Sequence, residues 1–434
     1  MDILLVNAPV KMMSQHAGKS PPLGLSYIAS VLLRAEYDIS ARDFNIVGFH
    51  PHLLRRILER ESPSILGISA HTETYLSGLK IAEFAKEVNP EITVVMGGTH
   101  PTVMYQEVAS EKSVDVVVRG EGEYAMLELA NCLIRNKGSL AEIKGIAYRD
   151  KGVVKTTPER PFIKDLDELP FPARGLFPLP LYQSPSSVLL SRGGCPFNCY
   201  FCAVNNIWKG SRRFRKPEKV VEEILHIYEH EQAQEINFSD DTFTLDRGRV
   251  IELCGLLKKA LRLDWLCSTR VDLVDRELLK EMHGAGCYDI QYGIEAGSQK
   301  ILDSIGKKMK LEQVRDAVRA TLDAGIEVTC SFMFPHPEDT EETIREQIHL
   351  MKELREIGAR ETMALTTPLP GTYYYEHADE LGIKILANSW DEYDGKHLMI
   401  ATKYLSKEKL KSLLEELVQD VGLTNEDLQR EDSA

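Results

Sequence analysis

The sequence predicts an α/β protein: an open, doubly wound parallel sheet at the amino end, then a partial barrel of six strand–helix units, then a small C-terminal region. Three observations carry this. Short apolar runs alternate with amphipathic stretches over residues 1–150, the pattern of a parallel sheet covered by helices on both faces. Residues 156–187 contain seven prolines, too many for regular helix or sheet. From Ser187 the alternation resumes six times, as in (β/α) barrels, whose chemistry sits on the loops after the strands.

A chain of 434 residues is too long for one ordinary core. The expected partition is 1–150, a linker at 151–187, the partial barrel at 188–370, and a pocket-wall or lid region at 371–434. Apolar content near that of ordinary globular proteins, 43%, with 27% charged residues, argues against disorder. A formal charge of −14 opposes nucleic acid as the main partner, because phosphate binding needs a basic face. No apolar run approaches the ~20 residues that cross a bilayer, and Met1-Asp2-Ile3-Leu4-Leu5-Val6 enters a strand-like run without a basic leader. A cytoplasmic protein without a membrane partner is therefore expected. Eight cysteines, three of them clustered, suit a reducing compartment.

In the first part, strands are expected at Ile3–Val6, Ile39–Arg42, Ile65–Ser69, Ile92–Met96 and Val114–Val118, with helical segments such as Leu25–Leu33 and Ser77–Val88. Ligands bind such sheets beyond the carboxyl ends of the strands. The loops there are Asn7-Ala8-Pro9, Asp43–Gly48, Ser69-Ala70-His71-Thr72 and Gly97-Gly98-Thr99-His100-Pro101. None carries the Gly-x-Gly-x-x-Gly of a dinucleotide site. On its residues alone, Arg119-Gly120-Glu121-Gly122-Glu123 is a helix start whose acids the helix dipole favours. Gly145–Lys155 reads as a hairpin turning at Asp150-Lys151-Gly152. His50, His52, His71 and His100 lie in loops, where a lone histidine is more often a surface or hydrogen-bonding residue than a ligand.

In the second part, strands are expected at Val188–Ser191, Glu235–Phe238, Trp265–Thr269, Tyr288–Gly293, Glu327–Met333 and Glu361–Leu365, with helices such as Lys219–His230, Gly248–Leu261, Arg276–Gly284, Leu311–Ala324 and Glu341–Ile357. The first strand leads into Gly193-Gly194-Cys195-Pro196-Phe197-Asn198-Cys199-Tyr200-Phe201-Cys202. Three thiols so spaced converge only if the backbone loops tightly, and the glycine pair supplies that freedom. Three thiols cannot close a tetrahedral zinc site, and the next cysteines are Cys254 and Cys267. A four-iron, four-sulfur cluster usually takes four thiolates; with three, one iron stays open to a cofactor or substrate. A zinc knuckle, a disulfide pair or buried small side chains are the bland alternatives.

Lys209–Lys216 is the one basic run, with a solvated or cofactor-facing role, and the loops Tyr373-Tyr374-Tyr375 and Trp390–His397 are plausible pocket walls. Cys132, Cys254, Cys267, Cys287 and Cys330 read as core fillers. His226 and His230 lie on a wet helix face, and an amphipathic helix with a frayed charged end follows Ser406.

The cysteine spacing, with Phe201 directly before the third thiol, resembles the signature of the radical S-adenosylmethionine (SAM) superfamily. The first part resembles a Rossmann-like cobalamin-binding domain, whose usual signature is Asp-x-His-x-x-Gly, then a serine loop, then Gly-Gly. The register holds at Asp43, Gly48, Ser69, Gly97 and Gly98, with Asn45 at the histidine position. An amide is a poor cobalt ligand, so a histidine-on arrangement is not expected. Pro21-Pro22-Leu23-Gly24 and the Arg119–Glu123 loop also resemble the cobalamin-dependent branch of the superfamily.

The resemblance spans about residues 3–405 and implies a [4Fe-4S] cluster on Cys195, Cys199 and Cys202. It implies SAM at Phe201, Ser239, Asp240, Arg270, Glu295 and Ser298, with Arg270 serving SAM or a neighbouring cobalamin group. For cobalamin it implies Asn7, Pro9, Gly24, Asp43, Asn45, Gly48, Ser69, Ala70, Thr72, Gly97, Gly98, His100, Gly120 and Glu121. The implied activity is C-methylation: one SAM methylates cob(I)alamin, and a second yields a 5′-deoxyadenosyl radical that abstracts hydrogen from an unactivated carbon, which then takes the methyl from methylcobalamin. The implied partners are a small-molecule or peptide/protein substrate, as in methyl-coenzyme M reductase maturation, and an electron donor such as ferredoxin or flavodoxin under anaerobic conditions. No catalytic side chain is assigned. The alternatives are cyclisation or ring contraction without methyl transfer, distinguished by product mass, and a non-catalytic iron-sulfur and cobalamin sensor, distinguished by failure to form 5′-deoxyadenosine.

Overall fold

A computed structural model describes residues 1–10, 20–182, 186–231, 233 and 235–424. The chain divides into two compact units, Met1–Ser184 and Pro185–Ala434. The first sheet is built from β1 (Ile3–Asn7), β2 (Ile39–Asp43), β3 (Ile65–Ser69), β4 (Thr93–Gly97) and β5 (Val116–Val118), parallel in the order β2-β1-β3-β4-β5. Ile3–Val6 is buried throughout, because helices cover both faces of the sheet and leave no wet side for alternating polar residues. The hairpin β6 (Ile146–Asp150) and β7 (Val153–Thr156) extends the sheet antiparallel from β5. Its turn residues Lys151 and Gly152 both have positive φ, 50° and 83°, the backbone a two-residue hairpin turn requires.

Two expectations are corrected here. The first unit does not end at residue 150: it takes in β7 and the proline-rich segment through Ser184. The Gly97–Pro101 loop is shorter than expected, because a helical turn already begins at Thr99. Strand order reverses between β1 and β3, and a doubly wound sheet opens its ligand crevice at such a point.

The second sheet is parallel, with strands in sequence order: β8 (Ser187–Val188), β11 (Glu235–Phe238), β12 (Asp264–Thr269), β13 (Cys287–Glu295), β14 (Glu327–Phe334) and β15 (Arg360–Leu365). Helices link successive strands from β8 to β15, giving the partial (β/α)6 barrel. The expected strand Val188–Ser191 is split. The amides of Leu190 and Ser191 donate to the Asp240 carboxylate instead of a neighbouring strand, and Ser191–Arg192 (β9) turns away to pair antiparallel with Arg213–Phe214 (β10). The C-terminal region belongs to the same unit rather than standing apart at 371–434: helix Lys407–Val421 buries Leu410, Leu413, Leu414 and Leu417 and packs against helix Glu341–Glu356. The expected charged tail, residues 425–434, lies outside the described residues.

The basic run is not simply a wet face. Arg215 is buried and pairs with Glu223, whose side chain is fully enclosed. Arg215→Ala takes a charged partner from an enclosed carboxylate and is expected to lower the stability of the fold. A denaturant titration reads this, and a midpoint unchanged from wild type would show that water reaches Glu223.

Candidate cofactor sites

At the first unit's strand ends, Asp43 is 1% exposed and acts as a hub. Its Oδ1 accepts from the Asn7 side chain at 3.0 Å and from the Asn45 backbone and side chain at 3.0 and 3.1 Å, and its Oδ2 accepts from the Tyr182 hydroxyl at 3.1 Å. Burial and the Asp43 carboxylate push that hydroxyl well above its usual pKa. Asn45 Oδ1 in turn accepts from the Val10 amide at 2.9 Å. The Asn45 amide is thus occupied in tying the loop after β1 to the loop after β2, so the residue at the histidine position braces the crevice.

The remaining loops stand close together. Ala8 N donates to Ser69 O and Ala70 N to Gly97 O, while Gly98 has φ 108° and an added Cβ would lie 2.3 Å from Ala70 O. Only glycine lets these two strand ends approach so closely. Gly48 and Gly120 also have positive φ, whereas a Cβ on Gly24 would touch nothing. Pro9 is buried beside Ala8. His100 is buried, stacked on Tyr75 at 4.4 Å and hydrogen-bonded through Nδ1 to Thr72 at 3.3 Å, so its ring packs inside the unit. Glu121 accepts from the Ile163 amide at 2.7 Å, which fastens the proline-rich segment.

In the second unit the cysteine loop opens at Gly193 and Gly194, with φ 62° and 131°. A Cβ on Gly193 would collide with the Trp208 ring. Cys195, Cys199 and Cys202 are free and half-buried. Burial pushes the Cys202 thiol up to about 12; it also raises Cys199, where Lys307 and Arg270 pull down and the Glu295 carboxylate pushes up. Thiols so placed ionise only when metal displaces their protons.

The loop has no regular structure and is held by its neighbours. Tyr200 N donates to Ile305 O at 3.1 Å, Tyr374 N to Tyr200 O at 3.2 Å, and Asn205 Nδ2 to Phe197 O at 2.6 Å. The Arg270 guanidinium lies 3.7 Å over the Phe197 ring. Phe201 sits 6.0 Å from His336 and 6.4 Å from Tyr374, ring to ring.

The strand ends divide their labour differently from expectation. Both Asp240 oxygens are taken by the Leu190 and Ser191 amides and the Ser191 hydroxyl, and burial raises its pKa to about 6. Asp240 holds the backbone that leads into the cysteine loop, while Ser239 and Asp241 beside it are exposed. Arg270 is bidentate on Asp272, at 2.8 and 2.9 Å. Glu295 ion-pairs with Lys307 at 2.8 Å, and Ser298 is buried at the start of helix Gln299–Ser304.

Sequence reasoning missed Lys307 and His336, and it read Tyr374, Asp394 and His397 only as parts of pocket-wall loops, without the Asp394–His397 pair, whose Oδ2 and Nδ1 are 2.9 Å apart. The signal for His336 was its place directly after the fifth barrel strand, in Phe334-Pro335-His336-Pro337. Of the expected core cysteines, Cys132 is only half-buried. His226 and His230 stack at 4.3 Å.

Comparison with known proteins decides the family. The Radical SAM superfamily matches residues 190–351 and the B12 binding domain matches residues 10–130. An uncharacterized methyltransferase of Pyrococcus horikoshii is 34% identical over 422 residues, covering 95% of this chain and 91% of that protein. The chain is a cobalamin-dependent radical SAM enzyme. An anaerobic magnesium-protoporphyrin IX monomethyl ester cyclase of Rubrivivax gelatinosus is 31% identical over 395 residues, 88% of the enzyme and 70% of the cyclase. The solved structure of the radical SAM methyltransferase TsrM from Kitasatospora setae, with cobalamin and a [4Fe-4S] cluster, shares the enzyme's fold with a TM-score of 0.78 at 17% identity, over 98% of the enzyme and 90% of TsrM.

The enzyme uses a [4Fe-4S] cluster, SAM and cobalamin, and its donor sets fit them. Three half-buried free thiols on one glycine-opened loop suit a cluster carrying each thiolate on its own iron. The glycine-permitted approach of Gly98 to Ala70 puts backbone rather than side chains at these strand ends, the kind of surface a corrin's nucleotide tail can approach.

Two predictions follow from this geometry. Asp240→Ala leaves two buried amides unpaired, at about 1–3 kcal/mol each, so it is expected to lower both the melting temperature and the iron bound per chain, with Asp241→Asn as the unaffected control. Burial pushes His100 down to about 4 from its usual 6.5, so the unfolded chain binds its proton first. Stability is therefore whole above pH 6.5 and is lost as pH falls from there toward 4. Urea titrations across that window should show less of this loss in His100→Gln; an identical pH dependence would remove His100 as a source.

Proposed function

We propose that the enzyme is a C-methyltransferase moving a methyl group from SAM to a carbon radical, with a small molecule or a peptide or protein side chain as substrate. The observation that carries this reading is the methyltransferase relative of 34% identity over nearly the whole chain. When bound, the cluster and SAM supply a 5′-deoxyadenosyl radical and cobalamin relays the methyl group.

On this reading the chain's own residues hold and orient. Cys195, Cys199 and Cys202 carry the cluster; Asp240 fixes the loop that presents them. Exposed Ser239 and Asp241 can accept from the SAM ammonium. Phe201, Ser298, Arg270 and Glu295 border SAM, Arg270 braced by Asp272 and Glu295 by Lys307. Gly97, Gly98, Ser69 and Thr72 border the corrin, on a crevice braced by Asn7, Asp43 and Asn45.

Asp394 orients His397 with Nδ1 toward its carboxylate. Gly395 O accepts from Leu365 N at 2.7 Å, which puts this pair at the carboxyl end of β15, where barrel chemistry sits. Trp390 and Tyr393, 4.9 Å apart, give that rim an aromatic wall suited to the apolar body of a substrate.

A second reading, cyclisation without methyl transfer, is favoured by the cyclase relative of 31% identity. Methyl-deuterated SAM separates the two. Incubated anaerobically with reductant, the loaded enzyme is expected to release S-adenosylhomocysteine and pass the label to the corrin; label found only on methionine, with 5′-deoxyadenosine and no labelled corrin, would favour cyclisation. Cys199→Ala should abolish 5′-deoxyadenosine formation while cobalamin stays bound, and loss of both together would give the cysteine loop a folding role instead.

A further inference from the structure

Consecutive strand ends of the second unit are joined by one buried polar network that ends on the cysteine loop. β13 finishes in a bulge, where pairing with β14 shifts register between Gly293 and Glu295. Glu295 there has φ 72°, a left-handed conformation that a non-glycine residue keeps only where its surroundings hold it. Two side chains do. His336, fully buried just past β14, lies with Nε2 3.2 Å from the Glu295 carbonyl and Nδ1 3.0 Å from the Tyr374 hydroxyl. A carbonyl can only accept, so Nε2 carries the proton and Nδ1 accepts from Tyr374. The Glu295 carboxylate folds back over Gly293, where an added Cβ would lie 2.4 Å from Oε1, and meets Lys307 Nζ at 2.8 Å.

From Lys307 the network continues to the loop. Its carbonyl accepts from Arg270 at 2.9 Å, and Arg270 covers Phe197 between the first two cysteines. Gly306, the preceding residue, lies so close that a Cβ would stand 3.0 Å from Asn198 O. On the other flank Tyr374, the partner of His336, donates its amide to Tyr200. The Lys307 and Glu295 side chains are 6% and 13% exposed, so little water screens this ion pair.

We propose that His336 and Lys307 are positioning residues of this enzyme: His336 fixes the left-handed turn at Glu295, and Lys307, paired with that carboxylate, neutralises it next to the cysteine loop and thereby keeps the cluster's reduction potential from falling. This rests on the reading that Cys195, Cys199 and Cys202 carry the cluster. Reduction adds negative charge, so loss of the lysine, which leaves the Glu295 carboxylate uncompensated near the loop, moves the midpoint to more negative potential.

The test uses the full chain with reconstituted cluster and bound cobalamin, and reads iron per chain, the midpoint by EPR-monitored titration, and the change in the reduced-cluster EPR signal on adding SAM. Lys307→Met is expected to keep its iron and titrate at a more negative midpoint, with Lys307→Arg returning toward wild type. If Lys307→Met loses iron, Lys307→Gln, which keeps a donor for Glu295 without charge, is read in its place. His336→Ala should lose the SAM-induced spectral change, and His336→Gln, whose amide can donate to the Glu295 carbonyl, should recover it. Wild-type midpoints in the uncharged Lys307 variants, or a wild-type SAM response in His336→Ala, overturn the proposal. Full iron content in a chain lacking all three cysteines would instead overturn the reading beneath it.

Discussion

Three thiols on a loop without helix or strand have no means of keeping their spacing, and the second unit is arranged around that problem. Apart from one internal turn, closed by Cys202 N on Cys199 O at 3.0 Å, the loop's backbone hydrogen bonds go outward, to Ile305, to Tyr374 and to the Asn205 side chain, so much of its shape is borrowed from the barrel's strand ends. The entry to the loop is set by Asp240, which takes the amides of Leu190 and Ser191 at 2.9 and 2.6 Å. A carboxylate with several donors is costly to lose, because each stranded amide carries its own desolvation penalty.

The first unit meets the same need in the same way. There Asp43, at the end of β2, accepts from Asn7 and Asn45 and from Tyr182. In each unit a nearly inaccessible aspartate at a strand terminus organises the neighbouring loops, and the groups left over for ligands are backbone, small side chains and a few exposed polar atoms. Aspartate suits this place because its short side chain reaches backbone amides of an adjacent turn without freedom of its own.

The sheets were legible in the sequence because strands buried on both faces read as unbroken apolar runs, as in Ile3–Val6. The first barrel strand was not, since Val188–Ser191 looks like one run while Asp240, some fifty residues later, draws its second half out of the sheet. The cysteine loop was legible because its chemistry is written in local spacing. Which aspartate of Ser239-Asp240-Asp241 faces water was hidden, because neighbouring residues on an irregular turn are told apart only by what packs against them. Lys307 and His336 were missed for a related reason: each lies more than a hundred residues from the loop it braces, and although His336 directly follows a barrel strand, nothing local marks either side chain as buried. Asn45 could be excluded as a strong ligand by its chemistry, but its occupation by Val10 and Asp43 required coordinates.

The barrel is incomplete, which leaves β8 and β15 as its lateral borders. β8 spans two residues and offers little to an intruding strand. β15 is longer, but the Leu365 amide at its end is capped by the Gly395 carbonyl at 2.7 Å. The turn carrying Asp394 and His397 thereby doubles as a guard against self-association: it occupies a backbone donor on which a foreign chain could otherwise begin an intermolecular ladder. Remodelling that turn to change what the rim accepts would therefore also change how readily the protein clumps.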